Sequence, residues 1–321
     1  MSFEDLGNGQ QISSLAHSAK SILAGYGIQV AQVENINHGY NSTFAVTAEN
    51  GERFSLRINV NSGRSAANVS AELFFINALA KVGNFHLALP IANEVGSYFS
   101  KFYHHDSGRD LIAVLFKWLD GVDVGDEPSE EVVFQIGSLM ARMHDATKSL
   151  VLPASAELPV FDDFMWQVED HLFGPNSRLE AEAKSKISAA RLVIEEVIAS
   201  LSAQGEKQLI HADLHGWNLK INEGALSVFD FDDSGIGLPI QDIATALYYL
   251  DTDGQKQAFK EGYASVRDLP KCSEYQMSAL LLQRRIHLLN YLYQTTNSEH
   301  RELLPTYQAE TLRRIDSFLA G

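Results

Sequence analysis

His211, Asp213, His215 and Asn218 fall within eight residues, and Asp230, Asp232 and Asp233 follow a short apolar run, Leu226–Phe229. Three kinds of chemistry use such residues, and each demands its own spacing. A zinc site of the HExxH type sets two histidines four apart on one face of a helix, with a glutamate base beside the first. His211 and His215 have that separation, but the acid is Asp213 at the third position, and Gly216 follows at once, a poor continuation for a helix. The one other cluster of suitable types, His104-His105-Asp106, lies in an expected turn. A calcium loop would use Asp230, Asp232 and Ser234 at positions one, three and five with Gly235 at six. Position twelve is then Gln241 where a bidentate glutamate is required, and the residues before Asp230 read as a strand where a helix is required.

Phosphoryl transfer is the third chemistry, and its spacing is met. His211-x-Asp213-x-x-x-x-Asn218 reproduces the H-x-D-x-x-x-x-N order of a phosphoryl-transfer loop, and LSVF leads from it to Asp230. In that arrangement Asp213 accepts or orients the proton of the attacking hydroxyl. Asn218 offers a neutral oxygen to one Mg²⁺, and Asp230 a charged one that bridges metal and nucleotide phosphates. Mg²⁺ takes hard oxygen ligands and relies on one or two carboxylates plus phosphate oxygens.

The elements that must hold this loop are legible in outline. Residues 9–25 show helical periodicity, and AQVENINHGYNSTFAVTAENGERFSLRI reads as three strands, with Asn50-Gly51 marking a tight hairpin turn. Residues 65–83 form a helix stopped by Gly83, and two strands follow near Gly96–Phe102 and Asp110–Phe116. From there the pattern turns helical, over 129–147, 177–203, 239–250, 255–266, 273–295 and 300–319. Within that half only Gln208–Ile210 and Leu226–Phe229 read as strands. The expectation is an α+β fold of two lobes, a small antiparallel-sheet lobe over 1–116 and a larger helical lobe over 117–321, joined by a hinge at about 115–121.

Composition sets outer bounds. The 321 residues are 45% apolar and 21% charged, and 41 acidic against 25 basic residues leave a net charge of −16. That field repels nucleic acid and anionic membranes, and it attracts a cationic small substrate, though acidity also serves plain solubility. No stretch approaches the ~20 apolar residues needed to span a bilayer. MSFEDLGNGQQ is neither a signal nor a transit peptide, and a single Cys272 excludes an internal disulfide. The expected compartment is the cytoplasm. Oligomeric state is not encoded in any motif.

LIHADLHGWNL, VFDFDDSGIGLP and QDIATAL, in that order, resemble the signature of the aminoglycoside phosphotransferase/choline kinase family of small-molecule kinases. The resemblance implies a protein-kinase-like fold, ATP as phosphoryl donor, Mg²⁺, and a hydroxyl-bearing, possibly cationic acceptor. It makes HGYNSTFAV (38–46) similar to the family's nucleotide-covering turn, with Gly39 permitting close backbone approach and Asn41 and Ser42 donating toward phosphates. Arg57 stands where protein kinases carry the phosphate-contacting lysine, with Glu72 on the next helix as its partner, and a forked guanidinium is not equivalent to a compact ammonium there. IAVLFKWLDG (112–121) resembles the hinge, so that the Lys117 carbonyl and the Leu119 amide would meet adenine, while Trp118 also reads as simple core. His144, His211 and Asp242 are expected to support the loop.

Departures are few. Ala212 replaces the usual glycine, Asp-Phe-Asp stands in place of Asp-Phe-Gly, and no Ala-Pro-Glu segment is present. The acceptor stays open among aminoglycosides, choline or ethanolamine, homoserine, a methylthioribose-like sugar and a protein Ser/Thr, with the acids and aromatics of DDFMWQVEDH (162–171) as candidates for its pocket or as one face of an amphipathic helix. A nucleotide-binding module without catalysis is the rival from another class.

Overall fold

In the N-terminal region, short turns at Asn50-Gly51 and His105–Gly108 fold β-branched and aromatic segments back on one another. β1 (Val30–His38), β2 (Ser42–Ala48), β3 (Arg53–Asn59), β4 (His86–Leu87), β5 (Ser100–His104) and β6 (Arg109–Lys117) are the strands, and β1-β2-β3-β6-β5 make one antiparallel sheet. The computed structural model describes residues 3–175, 177–295 and 297–321. Gly51 takes φ +87° at the β2–β3 turn, a conformation that costs glycine no steric penalty. α1 (Asn8–Ala24) lays Leu15, Ala19, Ile22 and Leu23 on Phe44, Val46, Leu56, Ile58, Ala113 and Leu115. Each large aliphatic buried in this way contributes about 1.5–3 kcal/mol. α2 (Ala66–Val82) opens on a reciprocal cap, Asn68 N to Ser65 Oγ at 3.2 Å and Ser65 N to Asn68 Oδ1 at 2.9 Å.

The chain forms two compact units, Met1–Asp120 with Pro153–Glu157, and Gly121–Leu152 with Leu158–Gly321. The short return to the first unit is pinned at the start of α2: Glu157 N donates to Ala67 O at 3.3 Å, and its carbonyl accepts Asn68 Nδ2 at 2.9 Å.

The second unit contains β7 (Val122–Asp123), α3 (Glu130–Thr147), α4 (Ala181–Ser202), β8 (Gln208–Ile210), β9 (Leu219–Asn222), β10 (Ala225–Val228), β11 (Gly235–Gly237), α5 (Pro239–Tyr248), α6 (Asp253–Ala264), α7 (Glu274–Gln294) and α8 (Ser298–Ala320). Side-chain oxygens of Ser129, Thr252 and Ser273 cap α3, α6 and α7, which fixes where each helix starts. α3 and α6 touch backbone to backbone. A Cβ on Gly137 would lie 2.1 Å from Phe259 O, and one on Gly262 would lie 1.9 Å from Phe134 O, so only glycine fits at either place.

Three short strands depart from the sequence expectation. Val122–Asp123, Leu219–Asn222 and Gly235–Gly237 are strands beyond the two expected in the helical half. At two to four residues they are too short for alternation to show. Residues 162–171 are not an amphipathic helix but consecutive turns. Asp163 Oδ1 accepts Met165 N at 2.8 Å, Asp170 Oδ1 accepts Phe173 N at 2.7 Å, and Trp166 and Gln167 sit at φ +53° and +60°. Aspartates that bond the backbone two or three residues on compete with helix, and here they win.

Candidate active site

β8 delivers His211 into a loop that has no regular ladder of its own, so side chains must supply its hydrogen bonds. Asp242, in the first turn of α5 and fully buried, supplies most of them. Its carboxylate does not cap its own helix, as its position suggests. It accepts Ala212 N at 2.8 Å, His211 N at 3.1 Å and His144 Nε2 at 2.9 Å. His144 is held from behind by Tyr263 on α6, whose hydroxyl lies 2.9 Å from Nδ1. Burial pushes the Asp242 carboxyl upward, but His144 and the loop amides outweigh it and hold the group below its ordinary value.

The latch matters because Ala212 sits at φ +66°. An L-residue there costs roughly 1–2 kcal/mol, which explains why glycine is the family's usual choice. His211 fixes the next joints. Its Nδ1 accepts Asp213 N at 3.3 Å, so Nε2 carries the proton and donates to Phe229 O at 3.2 Å. Burial lowers its pKa and keeps that neutral form.

Phe229 is gripped from both sides, since its N–H also donates to Asn218 O at 3.1 Å. That bond extends the β9–β10 hairpin by one step beyond the Leu219–Val228 pair. Asn218 and Asp230 therefore flank the same end of one hairpin, with Asp230 exposed at φ +60°. The strand that arranges this, β9, is one the sequence concealed.

Asn218 donates Nδ2 to the Asp213 carbonyl at 2.8 Å and to Oδ2 of the Asp213 carboxylate at 3.1 Å. With the amide nitrogen spent inward, Oδ1 is the atom left to meet a cation. Asp213 has further partners that sequence did not reveal. Its Oδ1 accepts Arg284 Nη2, which also donates to the Tyr249 hydroxyl at 2.6 Å, and His215 Nε2 lies 3.5 Å from Oδ2. Burial raises the Asp213 pKa, but the Arg284 guanidinium and then His215 overcome it, and the group falls to about 2. His215 in turn stacks on Tyr249, 4.4 Å between centroids. Gly216 lets the loop approach Gly125, whose carbonyl would lie 1.8 Å from an added Cβ. The signal for Arg284 was present as two consecutive arginines inside the apolar run LLLQRRIHLL, but no spacing rule ties them to Asp213.

Among the described residues no group of three His, Cys, Asp or Glu is arranged for a metal ion. His211 and His215 serve Phe229 and Tyr249 and do not converge on one point.

Arg57 and Glu72, in the first unit, form a buried fork-to-fork pair, Nη1 to Oε1 at 2.7 Å and Nη2 to Oε2 at 2.6 Å. The turn between β1 and β2 is closed by Gly39 N to Asn41 O at 2.9 Å and tied down by Asn61, which donates Nδ2 to Gly39 O at 2.8 Å. Ser42 departs from expectation. His38 Nε2 donates to Gln11 Oε1 at 3.0 Å, so its Nδ1 accepts the Ser42 hydroxyl at 2.6 Å, and that hydroxyl is turned inward. Lys117 ends β6 with its amide on Leu89 O at 2.8 Å and its side chain exposed, and Leu119 follows two residues beyond the strand. Trp118 is not core. Arg53 stacks on its ring at 3.8 Å.

Relatives of known structure share this architecture. An amicoumacin kinase, hAmiN, solved with AMP-PNP, Ca²⁺ and Ami, superimposes with a TM-score of 0.77 at 18% identity over 96% of both chains. A microcompartment-associated aminopropanol kinase gives 0.78 at 20% identity, over 95% of this chain and 97% of its own. In sequence, the amicoumacin kinase of Bacillus subtilis is 26% identical over 230 residues, 70% of this chain, and an uncharacterized protein of Synechocystis is 26% identical over 235 residues. The matched stretches span 65% and 63% of those two curated relatives. The profile described as the phosphotransferase enzyme family matches residues 32–275, most of the chain and both the Arg57–Glu72 pair and the Asp213 loop, and this chain belongs to that family.

Proposed function

We propose that the chain is an ATP-dependent kinase that transfers the γ-phosphate to a hydroxyl of a small-molecule acceptor, with Mg²⁺ as its metal and the cytoplasm as its compartment. The observation that carries this reading is the joining of Asp213, Asn218 and Asp230 by one loop and one hairpin end. Asp213, ionised at neutral pH and held at about 2, is a weak base. Its role is to orient the acceptor hydroxyl and take the proton late, which suffices where the transition state is loose and bond formation lags. Asn218 and Asp230 suit Mg²⁺ because they are hard oxygen donors, and Asn218 Oδ1 is turned away from Asp213 by the bonds its nitrogen makes. Bound there, the metal would neutralise charge on the nucleotide phosphates.

Gly39, Asn41, Ser42, Arg57, Lys117 and Leu119 are assigned to the nucleotide, with backbone groups in place of the buried Ser42 hydroxyl, and Glu72 orients Arg57. The ligands of the amicoumacin kinase complex, an ATP analogue and a divalent ion, support the same division here. Among the described residues no helix is long and apolar enough to cross a membrane.

ADP release with Mg²⁺ across a panel of amino alcohols, hydroxy amino acids, aminosugars and Ser/Thr peptides tests the reading. Acceptor-dependent turnover that falls roughly 10²–10⁴-fold in Asp213→Ala is the expected result. Asp230→Ala should chiefly weaken Mg-ATP binding. A non-catalytic nucleotide-binding module is the second reading, favoured by the closed Arg57–Glu72 fork, and Mg-ATP binding without turnover on any acceptor would establish it in place of the first.

A further inference from the structure

Resting on the kinase reading above, we propose that α8 positions the Asp213 carboxylate across α7, with Arg284 as the positioning residue and Arg285, Tyr248 and Tyr307 as its brace. The Asp213 carboxylate is held at both oxygens. Oδ1 accepts Arg284 Nη2, and Oδ2 accepts Asn218 Nδ2 at 3.1 Å. The same Nη2 also donates to the Tyr249 hydroxyl at 2.6 Å, so it is fully committed. The direction of the carboxylate therefore follows wherever α7 and Tyr249 put that one nitrogen. A long side chain aimed at a reacting group is only as precise as the helix beneath it.

What fixes α7 at this point is the next residue. Arg285 is buried and donates to three oxygens that carry no charge: Nε to Thr311 Oγ1 at 3.0 Å, Nη1 to the Tyr248 hydroxyl at 3.3 Å and Nη2 to the Tyr307 carbonyl at 3.3 Å. Its guanidinium also lies 4.1 Å over the Tyr307 ring. Tyr307 and Thr311 are one turn apart on α8, and the Thr311 hydroxyl donates back to Tyr307 O at 2.7 Å. Burying a cation against neutral oxygens is expensive in lost hydration, and an apolar side chain of similar volume would hold the helices together at less cost. What the guanidinium adds is direction, because three bonds from one planar group fix both the rotation and the register of α7 against α8.

The two arginines meet two consecutive tyrosines at the end of α5. Arg285 takes Tyr248 and Arg284 takes Tyr249, while the Tyr248 hydroxyl lies 2.6 Å from that of Tyr307. Tyr249 is itself stacked on His215, two residues beyond Asp213. Successive residues of a helix point about 100° apart. Turning α7 far enough to carry Arg285 off Thr311 would swing Arg284 off Asp213 with it.

The test is steady-state kinetics of the full chain with Mg-ATP and the best acceptor of the panel, for wild type, Arg284→Met, Arg284→Lys, Tyr307→Phe, the Arg284→Met/Tyr307→Phe double variant and Ile315→Val. Ile315 is a buried residue of α8 one turn beyond Thr311 and outside the hydrogen-bonded chain. Its truncation by one methylene lowers stability about as much as a lost hydrogen bond does. Arg284→Met should lower kcat by about 10²-fold, as a catalytic group displaced by an ångström does, with the acceptor KM held within about twofold, and Arg284→Lys should recover part of kcat. Tyr307→Phe should lower kcat about threefold to tenfold, the worth of one hydrogen bond, while Ile315→Val leaves kcat unchanged at a similar Tm. In the Arg284→Met background Tyr307→Phe should have no further effect, since the two act through one path. Amide exchange gives a readout apart from turnover: residues 213–218 should lose protection in Tyr307→Phe and keep it in Ile315→Val. An unchanged kcat in folded Tyr307→Phe, or kcat losses that multiply in the double variant, overturns the brace. An unchanged kcat in folded Arg284→Met overturns the positioning role, and each of these results leaves the kinase standing. No ADP release by wild type with any acceptor overturns the kinase reading, and this one with it.

Discussion

Removing the Asp242 carboxylate should release the loop over residues 211–218. Three donors converge on it at 2.8, 2.9 and 3.1 Å in a fully buried setting. Leaving a buried donor unsatisfied costs about 1–3 kcal/mol, so three give a ceiling near 9 and a realistic loss of about 3–5 once the loop relaxes. Against a total of roughly 5–15 kcal/mol, Asp242→Ala should leave little folded protein to assay, and Asp242→Asn is the sharper probe. The amide keeps the shape and one acceptor oxygen but turns its NH₂ toward at least one donor, for an expected loss of about 2–3 kcal/mol. The folded-state pKa is depressed, so the wild-type latch stabilises above the ordinary aspartate pKa of about 3.9 and fades as pH falls below it, a dependence that Asp242→Asn should lack. Urea unfolding, amide exchange at His211 and Ala212, and turnover are the assays. Turnover should drop by about 10²-fold, the effect of a loop displaced by an ångström. A variant within 0.5 kcal/mol of wild type, with both amides still protected, would refute the latch.

Two further outcomes follow from single residues. His287 is lowered to about 4 by burial first and then by Arg284, so the unfolded chain binds its proton more readily between about pH 6.5 and 4. Stability should therefore decline as pH falls through that window, by about 1–3 kcal/mol, and His287→Gln should flatten the slope in urea titrations. Ala212→Gly should relieve the φ +66° strain at the cost of unfolded-state entropy, for a net gain of about 0.5–1 kcal/mol read as a higher Tm with turnover retained, and a fall in Tm would show that the methyl packs favourably.

How much of this the sequence revealed depended on the range of each interaction. His211, Asp213, Asn218 and Asp230 were legible because a loop and a strand fix them locally, within twenty residues. The helices were legible because period and caps such as Ser273 are local too. Arg284 was not, being 71 residues from Asp213 and joined to it only by the packing of α7. The Asp242–His144–Tyr263 chain likewise spans 119 residues and depends on Gly137 and Gly262 letting α3 and α6 touch. β9 was hidden by its length, and the turns at 162–171 by aspartates whose backbone bonds overrule an apparently amphipathic pattern.

The excursion of Pro153–Glu157 back to the first unit means that the chain passes from one unit to the other three times. No single cut yields either unit as one continuous fragment. A protease nick within residues 148–152 would leave Glu157 on the C-terminal piece while its partners, Ala67 and Asn68, stay on the N-terminal one. The nicked protein would be laced together without a covalent bond, running as two bands under denaturing conditions and as one species in solution. A deletion series stepping in from either end would misreport where each unit stops.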